Sequence, residues 1–330
     1  MSPGRATAGL VLAAALAACA APPAGDRVSL RVAPRLSSFV AYLAADAGYF
    51  ATEDLEVELL VWDSAATVIP SLAQGDLDVS TVWRLDPAYL NVIGRGGRIR
   101  LVAGGMRYAP GECGYSSFLV RPEVLAAGRL DELAGLRGLR ITSERTSSSY
   151  YVWARLLERA GLGFDDVEIV DLPAEARIDA FASGRVDVTT ATEPWQTQLV
   201  RSGHAVRWRP VADVLPGFQS SFVVFGRRLL DERRDLGVRF LRAWQRAVRD
   251  YVDHGRDERL ISIVAARTRL DPGDLAAMCW PTYDRDGEVD RATLEDYQRW
   301  ALAEGLIDAA LPLETIFDAS FLANAAAGGG

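Results

Sequence analysis

Leu72-Ala-Gln-Gly-Asp-Leu-Asp-Val-Ser80 returns further along the chain as Phe181-Ala-Ser-Gly-Arg-Val-Asp-Val-Thr189. Ala, Gly, Asp and Val hold the same offsets in both. In each copy the Gly reads as a left-handed helix stop, and the Asp leads into a short apolar strand. The surroundings repeat as well. Upstream of the first copy, Val28–Ala33 alternates apolar and polar residues, residues 39–50 carry helical spacing closed by Gly48, Leu55–Val61 reads as a second strand, and Ala66–Ala73 reads as a helix ending at Gly75. Upstream of the second copy, the same order appears as a strand at Leu139–Thr142, a helix at Ser149–Ala160 closed by Gly161, a strand at Val167–Leu172 and a helix at Glu175–Ala182. Two runs of β-α-β-α-β predict parallel α/β sheets. The recurrence suggests two related lobes, although unrelated α/β repeats can produce the same match.

After Phe218 the pattern changes. Ser220–Gly226 reads as a strand, and four helices follow at Leu236–His254, Leu260–Ala266, Asp271–Met278 and Arg291–Glu304. Asp271-Pro272 and Asp290 are start signals, and Gly255 and Gly305 are stops. The tail from Ala325 to Gly330 holds small residues only and is expected to fray.

The composition is that of an ordinary globular protein, and 330 residues suffice for two domains with real cores. All 36 basic residues are Arg, which excludes mechanisms that need a Schiff-base or phosphate-loop lysine. The formal charge of −8 argues against a nucleic-acid partner. Arg5, the apolar run Ala8–Ala18 and Leu16-Ala-Ala-Cys19 read as a signal peptide over 1–18 ending in a lipobox-like site. Cys19 is then the lipidated first residue, and 19–27 a tether. The alternative is an ordinary secretory signal ending near Ala21. Cys113 and Cys279 either pair in an oxidising compartment or stand as separate thiols. No Cys-x-x-Cys, His-Glu-x-x-His, Gly-x-Ser-x-Gly or dinucleotide glycine pattern occurs, so no metal, cofactor or catalytic residue is expected. His204 and His254 read as surface residues.

Several ordered motifs are similar to the periplasmic solute-binding proteins of ABC importers for sulfonates, nitrate and thiamine precursors. They are Leu43 to Glu58 with its Gly48-Tyr-Phe50, Leu72–Val79, Leu136-Arg-Gly-Leu-Arg-Ile141, Leu156–Leu162, Ala180–Asp187 and Glu193-Pro-Trp195. The resemblance implies a two-lobed α/β fold of type II, each lobe a mainly parallel sheet flanked by helices. Lobe one would comprise 28–116 and 220–330, lobe two 117–219, with crossings near 115–120 and 216–222. It implies an exported, monomeric receptor that closes over a small-molecule ligand and delivers it to a membrane permease. The alternatives are a ligand-binding subunit of a membrane sensor, or a biosynthetic enzyme on the same fold. The chain departs from the family at Thr146–Ser149, where a Gly-Ser pair is usual, and at Thr81-Val-Trp83, where a Gly is usual.

In such a fold strand C-termini and helix N-termini face the cleft, where unpaired N–H groups suit anions. The candidate ligand contacts are therefore Thr146, Ser147 and Ser148 with Arg145 beside them, and Ser37 and Ser38 after the first strand. Asp63 and Ser64 follow the second strand, Trp83 ends the third, and Glu193 and Trp195 follow the last strand of lobe two. Tyr108 and Tyr115 are placed near the first crossover. Simple helix capping is the alternative for the hydroxyls, core packing for Trp83, and a solvated loop acid for Glu193.

Overall fold

The computed structural model describes residues 28–60, 65–111, 113–145, 147–172 and 176–328. The signal segment, Cys19, the tether and the candidates Asp63, Ser64 and Thr146 lie outside the described residues. Among the described residues, no helix is long and apolar enough to cross a membrane.

Two five-stranded sheets form the body. The first has the order β2-β1-β3-β11-β4, from β1 (Val28–Ala33), β2 (Leu55–Leu59), β3 (Val79–Trp83), β4 (Arg100–Gly104) and β11 (Phe222–Phe225). The second has the order β10-β6-β9-β7-β8, from β6 (Ser116–Val120), β7 (Arg140–Thr142), β8 (Glu168–Val170), β9 (Val188–Thr192) and β10 (Val206–Pro210). Read from β8, the second sheet repeats the first. In each, a central strand pairs in parallel with two neighbours, β1 with β2 and β3, and β7 with β8 and β9. In each, the next strand runs antiparallel, and it is the strand by which the chain enters that sheet after crossing. The crossings fall between β5 (Met106–Arg107) and β6, and between β10 and β11.

The repeated Asp explains why the motif recurs. Asp78 and Asp187 are buried, and each accepts the backbone N–H of the residue 47 positions earlier, Arg31 at 2.7 Å and Arg140 at 2.9 Å. The carboxylate thus pins β3 to β1 in one sheet and β9 to β7 in the other. A guanidinium neutralises each one: Arg228 lies 3.0 Å from Asp78, and Arg140 lies 2.6 Å from Asp187. Burial pushes the Asp187 carboxyl up, but the bonds from Arg140 overcome this and hold it below the ordinary range.

The C-terminal region is helical, as the sequence predicts, with bounds shifted by a residue or two: α8 (Arg234–His254), α9 (Glu258–Thr268), α10 (Pro272–Ala277) and α11 (Arg291–Ala303). On α8, Phe240, Trp244 and Val248 recur at four-residue spacing and are all buried. Gly237 lets this helix approach its neighbours, since a Cβ there would stand 2.7 Å from Phe321 and 2.8 Å from Phe225. The expectation of fraying from Ala325 is corrected as far as Ala327, and Gly329 and Gly330 lie outside the described residues. α13 (Ser320–Ala327) docks on α8 with Phe321 and Ala325 buried, so apolar burial orders it. The first helix, α1 (Phe39–Asp46), is closed by Gly48 at a φ of 76°, as its sequence predicts, and a 3-10 turn at Ala51–Glu53 leads into β2.

Cys113, in the first crossing, and Cys279, just after α10, form a disulfide with Cα atoms 5.7 Å apart. It joins the segment leading into lobe two to the C-terminal helical region of lobe one.

Candidate functional site

A cavity of about 260 Å³ lies between the two sheets, lined from both lobes. From lobe one come Arg35 after β1, Arg84 after β3 and Tyr108 after β5. Lobe two contributes the first turn of α5 (Ser148–Arg159), with Ser147, Ser148 and Ser149. It also supplies Arg177 at the start of α6 (Arg177–Ala182), Thr190 and Thr192 on β9, and Trp195 at the start of α7 (Trp195–Arg201). Carboxyl ends of parallel strands and amino ends of helices therefore meet here, where an open α/β sheet exposes polar backbone.

The lining is locally fixed. The loop holding Arg35 is locked by Ser38, whose hydroxyl oxygen accepts from Arg35 N at 2.8 Å and from Thr81 Oγ1 at 3.0 Å. The Tyr42 hydroxyl donates to the Arg35 carbonyl. Arg177 donates to the Thr190 carbonyl at 2.8 Å, which holds its guanidinium against the middle of β9. Ser147 turns its hydroxyl to the Glu144 carbonyl (2.9 Å) and to Ser149 Oγ (2.6 Å). α5 accordingly has no side-chain cap on its first turn. Glu144 supplies an acidic group to a lining that also holds three arginines.

Asp86 caps α3 (Pro87–Gly94) by accepting the Tyr89 N–H at 2.8 Å. Burial pushes its carboxyl up to about 7. The N–H groups of Tyr89 and Ala88 and the charge of Arg35 pull the other way.

Of the residues singled out in the sequence, Tyr108, Ser147, Ser148 and Trp195 come together at the cleft. Others do not. Ser38 is buried and spent on the loop, and Ser37 stands beside the Tyr115 hydroxyl. Trp83 packs into the core at 4% exposure, on a strand buried along its whole length. Arg145 turns away from the cleft, and its guanidinium lies 5.7 Å from the centre of the Tyr150 ring. Glu193 is the largest correction. It is neither a solvated acid nor part of the cleft lining. Its carboxylate is buried and accepts from Gln196 Nε2 (2.8 Å), Thr197 N (3.0 Å), Arg207 Nη2 (3.1 Å) and Cys279 N (3.1 Å). The last donor belongs to the C-terminal region, so Glu193 pins lobe two to lobe one.

Two helix pairs complete that junction. Arg201 on α7 forms an ion pair with Asp274 on α10. Asp296 on α11 accepts from the Tyr151 hydroxyl and from Arg155 on α5, the latter at 3.1 Å. Burial alone would raise the Asp296 carboxyl; the bonds from Tyr151, Arg155 and Arg299 overcome this and lower it. A larger depression of about 850 Å³ lies beside this latch, lined by α5, α11 and the return segment Val214–Phe218. Its charges pair with partners around it, Arg155 with Asp296 and Glu158 and Arg107 with Asp284. The smaller cleft, where strand ends converge, is the better candidate site.

Two sheets of matching order, joined by two crossings and enclosing a polar cleft, define a two-lobed binding protein of the periplasmic type. Within that class, the chain belongs to the NMT1/THI5 like family, whose profile matches residues 37–257. Among solved structures, it is similar to a ligand-binding component of an ABC-type import system from Staphylococcus aureus, solved with zinc bound. That match has a TM-score of 0.72 and 13% identity, covering 90% of this chain and 99% of the other. It is similar to the periplasmic aliphatic sulphonate binding protein SsuA from Escherichia coli, with a TM-score of 0.71 and 17% identity over 88% and 92%. It is also similar to the desulfurization enzyme DszB, with a TM-score of 0.62 and 21% identity over 92% and 99%. No curated protein sequence matches significantly.

Proposed function

We propose that this chain is the exported, lipid-anchored solute-binding component of an ABC importer and that it captures a small organic anion by hinge closure. The observation that carries the reading is the complementarity of the two cleft walls. Arg35 and Arg84 stand on one, and the uncapped first turn of α5, with Ser147, Ser148 and Ser149, stands on the other. Guanidinium groups and a helix amino end both favour an anion, and the Ser148 hydroxyl adds a hydrogen bond to its oxygens, Ser147 and Ser149 being engaged within the turn. A sulfonate, with three acceptor oxygens, satisfies donors from both walls at once, and the sulphonate-binding relative supports that choice.

In the proposed cycle, lobe one is 28–116 with 220–330 and lobe two is 117–219. Solute binds to one wall, the lobes rotate about the two crossings, and a permease reads the closed shape. The protein acts as a monomer. Lipidation of Cys19 holds it at the outer face of the cytoplasmic membrane, each buried methylene of the anchor contributing about 0.8 kcal/mol. The likeness to DszB favours a second reading, chemistry on an organosulfur acid on the same fold.

A thermal-shift screen of the mature, unlipidated chain tests the proposal, with sulfonates, carboxylates, nitrate, pyrimidines and amines as solutes. Solute at a hundred times its dissociation constant adds about 2.7 kcal/mol of stability. A shift from organic anions supports the receptor reading. Shifts from amines alone, or turnover of a sulfinate, would overturn it.

A further inference from the structure

We infer that a small, mainly apolar pouch adjoining the cleft sets the length of the solute's tail, so that the preferred solute is an organic anion with an apolar tail of about three carbons. The inference rests on the anion-receptor reading above and adds a size limit to it. The pouch has a volume of about 40 Å³. Arg177, Ala191, Thr192 and Trp195 line both it and the cleft, so the two spaces share a wall. Beyond that wall the pouch is closed by Ile178 and Leu199.

The walls are firm. Leu199 is 2% exposed and packs with Leu119, Phe181 and Val186 in the core of lobe two. Thr189, at the inner end, is fully buried with its hydroxyl engaged by Thr142 Oγ1 at 2.5 Å, so it presents no spare polar group to a guest. The guanidinium of Arg177 is tied to the Thr190 carbonyl, which keeps its charge at the mouth. An anionic head held at the cleft arginines would therefore place its tail among Ile178, Trp195 and Leu199.

Size follows from volume. A water-sized group needs roughly 10–15 Å³ of such space, so the pouch takes about three of them. Each methylene moved from water into it should tighten binding about fourfold, the equivalent of ~0.8 kcal/mol. A tailless anion such as nitrate leaves the pouch unused, and a long alkyl chain overruns it.

Titration calorimetry on the mature chain with linear alkanesulfonates and alkanoates of one to eight carbons tests this. The expected result is a rise of about fourfold per carbon up to roughly the third, then a plateau or a fall. Leu199→Phe should abolish the rise while leaving methanesulfonate binding within about twofold, and Leu199→Ala should move the optimum to longer tails. If Leu199→Phe does not fold, Ile178→Phe at the partly buried wall replaces it, and the chain-length profile of the parent stands by itself. Affinity that is flat with length while methanesulfonate binds would overturn the pouch and leave the anion receptor intact. A steady rise through eight carbons would also overturn it, since only an open groove behaves so. Failure of every member of both series to bind would overturn the receptor reading and the pouch with it.

Discussion

Replacing Glu193 by Ala should unfold this protein more readily rather than weaken its grip on a solute. The side chain accepts four hydrogen bonds, two from the backbone N–H groups of Thr197 and Cys279 and two from Gln196 and Arg207. Arg207 is 37% exposed in its side chain and can turn to water, and Gln196 also donates to the Gly114 carbonyl at 3.0 Å. The two backbone donors have no such escape. Each buried group left unpaired costs about 1–3 kcal/mol, and the lost side-chain packing adds to this. A destabilisation of about 3–4 kcal/mol follows, which for a chain of this size lowers the melting temperature by roughly 5–6 °C. Because one donor is Cys279 N, the loss falls on the junction between the lobes. Calorimetric melting of the parent and Glu193→Ala checks this, alongside titration with the best solute from the screen. A variant that melts within 2 °C of its parent but loses solute affinity tenfold would refute the reasoning and return Glu193 to the ligand site.

Three further outcomes are expected. Asp86→Asn keeps an acceptor for the α3 cap but removes a carboxyl whose folded pKa of about 7 exceeds the ordinary 3.8. Between those values the folded state holds a proton that the unfolded chain has lost, so parent stability falls as pH rises from about 4 to 7. The variant should therefore gain on its parent in melts at pH 8.5 relative to pH 5, and an equal gap at both would contradict this. Asp296→Ala removes the acceptor shared by Tyr151 and Arg155; solution scattering should show a larger unliganded radius of gyration, and solute affinity should weaken about fivefold. Cys113→Ser with Cys279→Ser should lower stability by about 2–4 kcal/mol in urea unfolding, whereas a parent that titrates two free thiols under native conditions would contradict the pairing.

The repeated Gly-x-x-Asp-Val pattern made the fold legible, because its Asp does the same job twice, bonding the N–H of the residue 47 positions back in each lobe. The first turn of α5 was legible for a similar reason, since adjacent hydroxyls before an amphipathic run signal a helix start. The cationic side of the cleft was not. Arg35, Arg84 and Arg177 are three of 36 arginines with no lysine for contrast, and they meet only through tertiary folding. Glu193 misleads because an acid after a strand end looks the same whether it faces solvent or turns inward. Gln196 and Thr197 on the next helical turn draw it inward, and Cys279, 86 residues away, completes the shell. Trp83 was open between cleft and core in the sequence. β11 comes from beyond lobe two to pair with β3 and bury it, a contact of long sequence separation that no local pattern reveals.

The central claim is that an anion is held between Arg35 and Arg84 on one lobe and the start of α5 on the other. Calorimetric titration of the best-binding sulfonate or carboxylate into the parent and into the double variant Arg35→Gln, Arg84→Gln measures it most directly. Each charged hydrogen bond lost is worth about 1.5–3 kcal/mol, so the account predicts a loss of at least a hundredfold with the melting temperature preserved. Affinity unchanged within threefold in a folded double variant would contradict it.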